Sequence, residues 1–243
     1  MDVRENIEHF CQYFDSEAQS IELVALGAHE DATDSSRGSE SRYKKVLYLA
    51  AIDTLAGVHA KSIASVSRRA QNRERFINFI GQHGSWREEN LVSIPFLHDE
   101  LSALNLLGGS LGRYVDEKLA HYSTADGGSL PVVDIDDSVL DLLALASTDD
   151  ERKTIQRYKH VELLYRYRNT LVHESREPGA AMDVFGPTTS PYYSGYIDDK
   201  AWYLTYPTHI FALILKRSIS SFRSYLLEKS IDPFSLIEGT ERW

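Results

Sequence analysis

Tyr43–Ile63 reads YKKVLYLAAIDTLAGVHAKSI, and this stretch decides the class of fold. Val46, Leu47, Leu49, Ala50, Ile52, Leu55, Ala56 and Val58 follow one another too closely to leave a broad polar face. A helix that is apolar nearly all round is buried on most sides, so the segment predicts a central helix with others packed about it. Asp53 falls inside the run. A buried carboxylate is costly unless it is paired, which predicts a partner or a cavity at that point.

Working outward, Asp2 to Leu26 carries Ile7, Phe10 and Phe14 on one face and Ile21 and Val24 further along, at helical spacing. Gly27 to Ser41, rich in Ser, Asp, Gly and Glu, reads as a mobile loop. Downstream, a helix beyond Ser67 carries Phe76, Phe79 and Ile80. Ser93-Ile94-Pro95 then opens the helix Phe96 to Leu107, with serine as cap and proline in the first turn. Gly108, Gly109 and Gly112 interrupt the next turn, with Ser110 expected as a helix cap, and a shorter helix runs to about Tyr122. Ala125 to Asp137 reads as loop, and an apolar helix follows around Val139 to Ala146.

One long helix is expected from Asp149 to His173, stopped by Arg176-Glu177-Pro178-Gly179. Residues 180–205 break the helical pattern. There Tyr192, Tyr193, Tyr196, Trp202 and Tyr203 flank an Asp198-Asp199 turn and predict a small hairpin, with strands confined to that insertion. Thr205-Tyr206-Pro207 opens a last long helix whose apolar face holds Phe211, Ile214, Leu215, Phe222 and Leu226. Neither an internal repeat nor an alternation of strand and helix is present. The expectation is a mainly α protein, one helical domain over residues 1–243 with a small irregular or hairpin insertion around 180–205.

The totals narrow the function classes. Of 243 residues, 42% are hydrophobic and 26% charged, which is ordinary for a soluble globular chain. The single Cys11 leaves no intramolecular disulfide and no zinc-ligand spacing, and it suits a reducing compartment. Met1 to Glu8 lacks the apolar stretch of a secretory signal and no run is long enough to span a bilayer, so a cytoplasmic protein without a membrane partner is expected. A net charge of −10 argues against a surface that coats nucleic acid broadly. The charge is uneven, however. Between Glu151 and Arg176, Arg152, Lys153, Arg157, Lys159, Arg166, Arg168 and Arg176 face only Glu151, Glu162 and Glu174, and a second basic stretch holds Lys61, Arg68, Arg69, Arg73 and Arg75. Solvated helix faces are the plainer account of each patch. A local patch on an acidic body can also hold phosphate at a chosen place while non-specific binding stays weak.

The chemistry concentrates in Arg168-Asn169-Thr170-Leu171-Val172-His173. On a wheel with Arg168 at zero, Val161, Leu164, Tyr165, Leu171 and Val172 fall within about 60° on either side, so Arg168 projects from the apolar stripe. Its charge must meet a buried acid, a partner subunit or an anionic ligand. His173 lies about 140° round, which brings it to Arg168 only if the last turn unwinds, whereas Asn169 shares a side with it at i+4. Arginine neutralises phosphate, histidine moves protons near neutral pH and the amide orients either one.

Arg168-Asn169-x-x-x-His173, on a long helix between a central apolar helix and a last long helix, resembles the Arg-x4–6-His motif of the HEPN superfamily. The resemblance in layout spans Tyr43 to Lys229. It implies a helical bundle that dimerises with its motifs facing each other, and metal-independent cleavage of RNA as in toxin–antitoxin, CRISPR and phage-defence systems. By that likeness Arg168 stabilises the developing charge, His173 is general acid or base, and the RNA 2′-hydroxyl is the nucleophile. RNA, a second copy of the chain and an antitoxin protein are then the implied partners, with no cofactor and no metal. Some members of the superfamily only bind or dimerise, and a non-catalytic helical module is the alternative reading. Individually, Arg168 also suits a buried salt bridge to Asp53 or Glu162, and His173 a helix end favoured by the macrodipole.

Other motifs carry less. Gly108-Gly109-Ser110-Leu111-Gly112 fits G-x-S-x-G, but a nucleophile elbow needs a strand before it, and Leu101 to Leu107 reads as helix. His59, His98, His121 and His160 are scattered without ligand spacing. The tyrosine-rich insertion suits base stacking, or packing of a hairpin onto the bundle.

Overall fold

The computed structural model describes residues 2–25, 35–63, 72–122, 128–178, 188–195 and 201–237. Among these the fold is mainly α, with eleven α-helices, one π-helical turn and five short strands. None of the helices is long and apolar enough to cross a membrane. The chain, read above as one domain, gathers its contacts in two compact units, Met1–Trp86 with Thr208–Trp243, and Arg87–Pro207.

In the first unit, α1 (Val3–Glu22) starts at Asp2. The Asp2 carboxylate accepts from the helix while Glu5 accepts from the Asp2 backbone, a reciprocal cap that satisfies two otherwise orphaned donors. Ile7, Phe10, Cys11, Phe14, Ala18 and Ile21 recur at helical spacing and are all buried. The helix ends at Glu22, short of the expected Leu26.

The apolar stretch quoted above lies in α2 (Ser35–Ser62), which packs against α1 and α10 (Thr208–Lys229). Tyr48, Leu49, Ile52, Leu55, Ala56 and Val58 are buried. One side stays open, with Tyr43 49% and Leu47 42% exposed. Asp53 is half-exposed rather than buried, so it carries much less of the desolvation cost expected for it. The expected loop is also shorter, because residues 35–41 are helical and the rest of Gly27–Ser41 lies outside the described residues.

The expected helix start after Ser67 lies outside the described residues, and α3 (Asn72–Phe79) runs into the π-helical turn Ile80–Gly84. Of the second basic stretch, Arg68 and Arg69 fall outside the described residues, while Arg75 bonds Asn72 and Lys61 the Leu236 carbonyl. On α10, Phe211, Ile214, Leu215, Phe222 and Leu226 are buried as the pattern requires. The short α11 (Pro233–Ile237) closes this unit.

The second unit opens with β1 (Leu91–Val92) and α4 (Ile94–Ala103), where Ser93 caps the helix by accepting from the Phe96 amide at 3.3 Å. The helix stops at Ala103 instead of Leu107, and Asn105 turns the chain with φ 58°. Next, α5 (Ser110–Leu119) is capped by Gly109, with Ser110 already inside the helix, a correction to the cap expected of Ser110. Gly112 is required here: a Cβ would stand 2.4 Å from Leu107 Cα and 2.5 Å from the Leu106 carbonyl oxygen. The glycine motif therefore marks a close helix junction.

Strands are not confined to the insertion. β2 (Gly128–Pro131), α6 (Val132–Ile135) and β3 (Asp137–Ser138) lie in the stretch read as loop. β3 pairs antiparallel with β1, and β2 adds to the expected hairpin of β4 (Tyr192–Gly195) and β5 (Trp202–Thr205) to make a three-stranded antiparallel sheet. Asp198-Asp199 lies outside the described residues. After α7 (Val139–Leu145), the single long helix proves to be two, α8 (Asp149–Arg157) and α9 (His160–Glu174). Tertiary bonds explain the break. Lys159 bridges Val92, the Ser93 amide bonds the Tyr158 carbonyl at 3.0 Å, and the Val161 amide bonds the Glu89 carbonyl at 3.2 Å. The segment 89–93 thus takes up backbone groups that a continuous helix would use internally.

Candidate functional site

On α9 the buried side chains are His160, Val161, Glu162, Leu163, Leu164, Tyr167 and Leu171. Glu162 apart, they centre about 60° from Arg168 on the wheel. Tyr165 and Val172, counted as stripe residues from the sequence, are only partly covered, with Val172 37% exposed. Arg168 therefore stands at the edge of the packed face, half-buried, and not at its middle. Asn169 is half-buried too, and His173 is exposed.

The structure brings these three together. Arg168 Nη1 donates to Asn169 Oδ1 at 2.9 Å and lies 3.5 Å from His173 Nε2. The last turn does not unwind, since α9 stays helical through Glu174 before Ser175 turns the chain at φ 52°. The long arginine side chain spans the angle instead. For Nε2 to accept from the guanidinium, the imidazole must be neutral with its proton on Nδ1. The guanidinium also lies over the Tyr165 ring, 6.0 Å from its centroid, at cation–π range. Below, the Tyr167 hydroxyl donates to Glu177 at 2.7 Å and ties the chain after the helix back to α9, while Glu174 pairs with Arg176 at 2.6 Å. The site thus joins a cation, an amide and an imidazole at the end of a helix where His173 is exposed.

A second polar cluster, which spacing along the chain does not reveal, lies at the other end of α9. His160 Nε2 donates to Asp136 Oδ2 at 2.6 Å, and His160 Nδ1 is 2.9 Å from the Tyr206 hydroxyl. Asp136 Oδ1 accepts from the Ile94 amide at 2.9 Å. The Tyr193 hydroxyl is 2.8 Å from Asp136 Oδ2 and 2.7 Å from Ser93 Oγ, and it gives its one proton to the carboxylate. Burial pushes the Asp136 carboxyl above its usual range, opposed by His160, the Ile94 amide and Tyr193. Both partners of the Asp136–His160 pair have fully buried side chains. The cluster joins the start of α4, the turn between α6 and β3, β4 and the start of α9.

The other histidines divide. His98 bonds Asp116 at 3.1 Å and His121 the Glu117 carbonyl at 2.7 Å, both near the surface. His59 and His83 are buried with ring centroids 4.7 Å apart, and neither Nε2 has a hydrogen-bond partner among the described residues. Among the described residues no group of three or more His, Cys, Asp or Glu side chains is placed to hold a metal ion.

Comparison with protein-family models, with curated proteins and with solved structures gives no match.

Proposed function

We propose that this chain is a metal-independent endoribonuclease of HEPN type, working through Arg168, Asn169 and His173. The observation that carries the reading is the approach of Arg168 Nη1 to both Asn169 Oδ1 and the exposed His173 Nε2 near the end of α9. A phosphate that enters there meets a guanidinium suited to paired oxygens. His173 then takes the proton of the RNA 2′-hydroxyl or returns one to the 5′-oxygen leaving group. The 2′-oxygen bonds to phosphorus as the P–O5′ bond breaks, and Arg168 balances the charge gathered on the phosphoryl oxygens. Asn169 holds the guanidinium in register. The edge formed by Tyr165, Arg168 and Val172 suits pairing with a second copy, so that two motifs face one groove. Such a cytoplasmic nuclease belongs in a toxin–antitoxin or phage-defence system, where an antitoxin protein restrains it.

Expression in a bacterial host tests the proposal. Induced wild-type protein should arrest growth, and His173→Ala at equal soluble yield should relieve the arrest. Equal effects of the two proteins on growth would favour a non-catalytic binding module.

A further inference from the structure

Arg166 lies beside this site, and the proposed chemistry does not use it. On α9 it falls within about 20° of His173 around the helix and two turns, about 10 Å, before it along the axis. Both residues are exposed. The Arg166 guanidinium is held from two directions: Nη2 donates to the Arg157 carbonyl at 3.0 Å, and the group stacks 5.1 Å from the centroid of Tyr158. Neither contact neutralises it. The nearby Glu100 is engaged by Arg157 at 2.6 Å and by the Tyr158 hydroxyl at 2.9 Å. Glu162, one turn earlier on the same side, is buried. No carboxylate pairs with Arg166 among the described residues. An arginine immobilised by a carbonyl and an aromatic ring has already lost much of its side-chain freedom, yet keeps its charge and its remaining donors for an anion.

We infer that Arg166 forms a second phosphate subsite, which takes a phosphodiester of the same single strand upstream or downstream of the one at Arg168 and His173. The inference rests on the proposed nuclease reading, and it adds a requirement on substrate length. A strand must be long enough to reach along two turns of α9, so recognition depends on the backbone of an extended single strand and not on one nucleotide. The break between α8 and α9 is what presents the Arg157 carbonyl and the Tyr158 ring to Arg166, and it thereby acquires a role in binding.

Binding of a fluorescein-labelled, fully 2′-O-methylated oligouridylate dodecamer, followed by anisotropy in EDTA over a salt series, tests this. Arg166→Gln should weaken binding several-fold and make the plot of log affinity against log salt shallower by about 0.7, the value for one phosphate contact on a single strand. Lys153→Gln, at an exposed lysine paired with Asp150 on α8, serves as the control for loss of one charge elsewhere and should leave the slope unchanged. Tight binding with the wild-type slope retained in Arg166→Gln overturns the subsite and leaves the nuclease reading standing. Failure of the wild-type protein to bind the dodecamer at all overturns both.

Discussion

Removing Arg168 takes away the guanidinium that bonds Asn169 and approaches His173. Loss of a preorganised charge donor costs on the order of a hundred- to a thousandfold in rate, so Arg168→Ala should fall to near background in single-turnover cleavage. His173→Ala should lose roughly a hundredfold or more, as expected when a general acid–base group goes. Asn169→Ala should lose less, because the part proposed for it is orientation. Circular dichroism must show each variant folded, and a rate equal to wild type in both Arg168→Ala and His173→Ala would remove the assigned site. The three residues were legible in the sequence as a set, but their geometry was not. A wheel places Arg168 and His173 far apart because it records where Cα–Cβ bonds point and ignores the reach of a long side chain. Asp136 and His160 were illegible for a different reason. They are 24 residues apart, and only the closed unit makes them partners. Removing the Asp136 carboxylate strands the buried donors that it satisfies, His160 Nε2, the Ile94 amide and the Tyr193 hydroxyl, at a cost of about 1–3 kcal/mol for each group left unmet. Asp136→Ala should therefore lower unfolding stability in urea by more than Tyr193→Phe, which removes one bond of the cluster and should cost about 1–3 kcal/mol.

Elements were read well where the pattern is local and poorly where distant backbone intervenes. The apolar faces of α1 and α10 and the hairpin of β4 and β5 follow from spacing and turn residues alone. The break at Tyr158–Lys159 depends on bonds to residues 89–93, which nothing within 149–173 announces, and β2 is a strand only because β4 offers it an edge. Gly112→Ala should destabilise the protein by about 1–3 kcal/mol, since the junction with Leu106 and Leu107 has no room for a methyl group. The same measurement on Gly108→Ala, where a Cβ meets nothing within 4 Å, provides the contrast.

The π-helical turn makes a pH prediction. Burial lowers the His83 imidazole from 6.5 to about 4, helped by the adjacent His59, whose own value burial also lowers. His59 and His83 face Phe79, Phe222 and Tyr225, and Ser221 bonds His83 at 3.0 Å, so no carboxylate among these contacts offsets a new charge. The unfolded chain takes up these protons first as pH falls. The stability held above about pH 6.5 is therefore lost progressively down to about 4, by roughly 3 kcal/mol for His83 at 1.36 kcal/mol per unit. Urea midpoints measured across that range should fall in the wild type and flatten in His83→Phe. A wild-type midpoint that holds steady to pH 4 would contradict the assignment.

At the scale of the molecule, the mainly α class was legible because helical periodicity recurs along most of the chain, whereas the gathering of contacts into two units was not. That division follows from α10 returning to pack on α1 and α2, a pairing that the sequence between Arg87 and Pro207 does not signal. The proposed dimer is open to a direct test. Light scattering at micromolar concentration should give twice the 27.6 kDa mass of the chain, and charge reversal at Arg168 should shift the population toward monomer. A wild-type monomer would remove the facing-motif arrangement. The central claim is tested most directly by incubating purified protein with single-stranded RNA in excess EDTA and examining the new ends. Cleavage should leave 2′,3′-cyclic phosphate and spare both DNA and RNA methylated at its 2′-hydroxyls, because in the proposed reaction the attacking oxygen comes from the RNA itself. Intact RNA across varied sequences, cleavage that EDTA abolishes, or 5′-phosphate ends would contradict it.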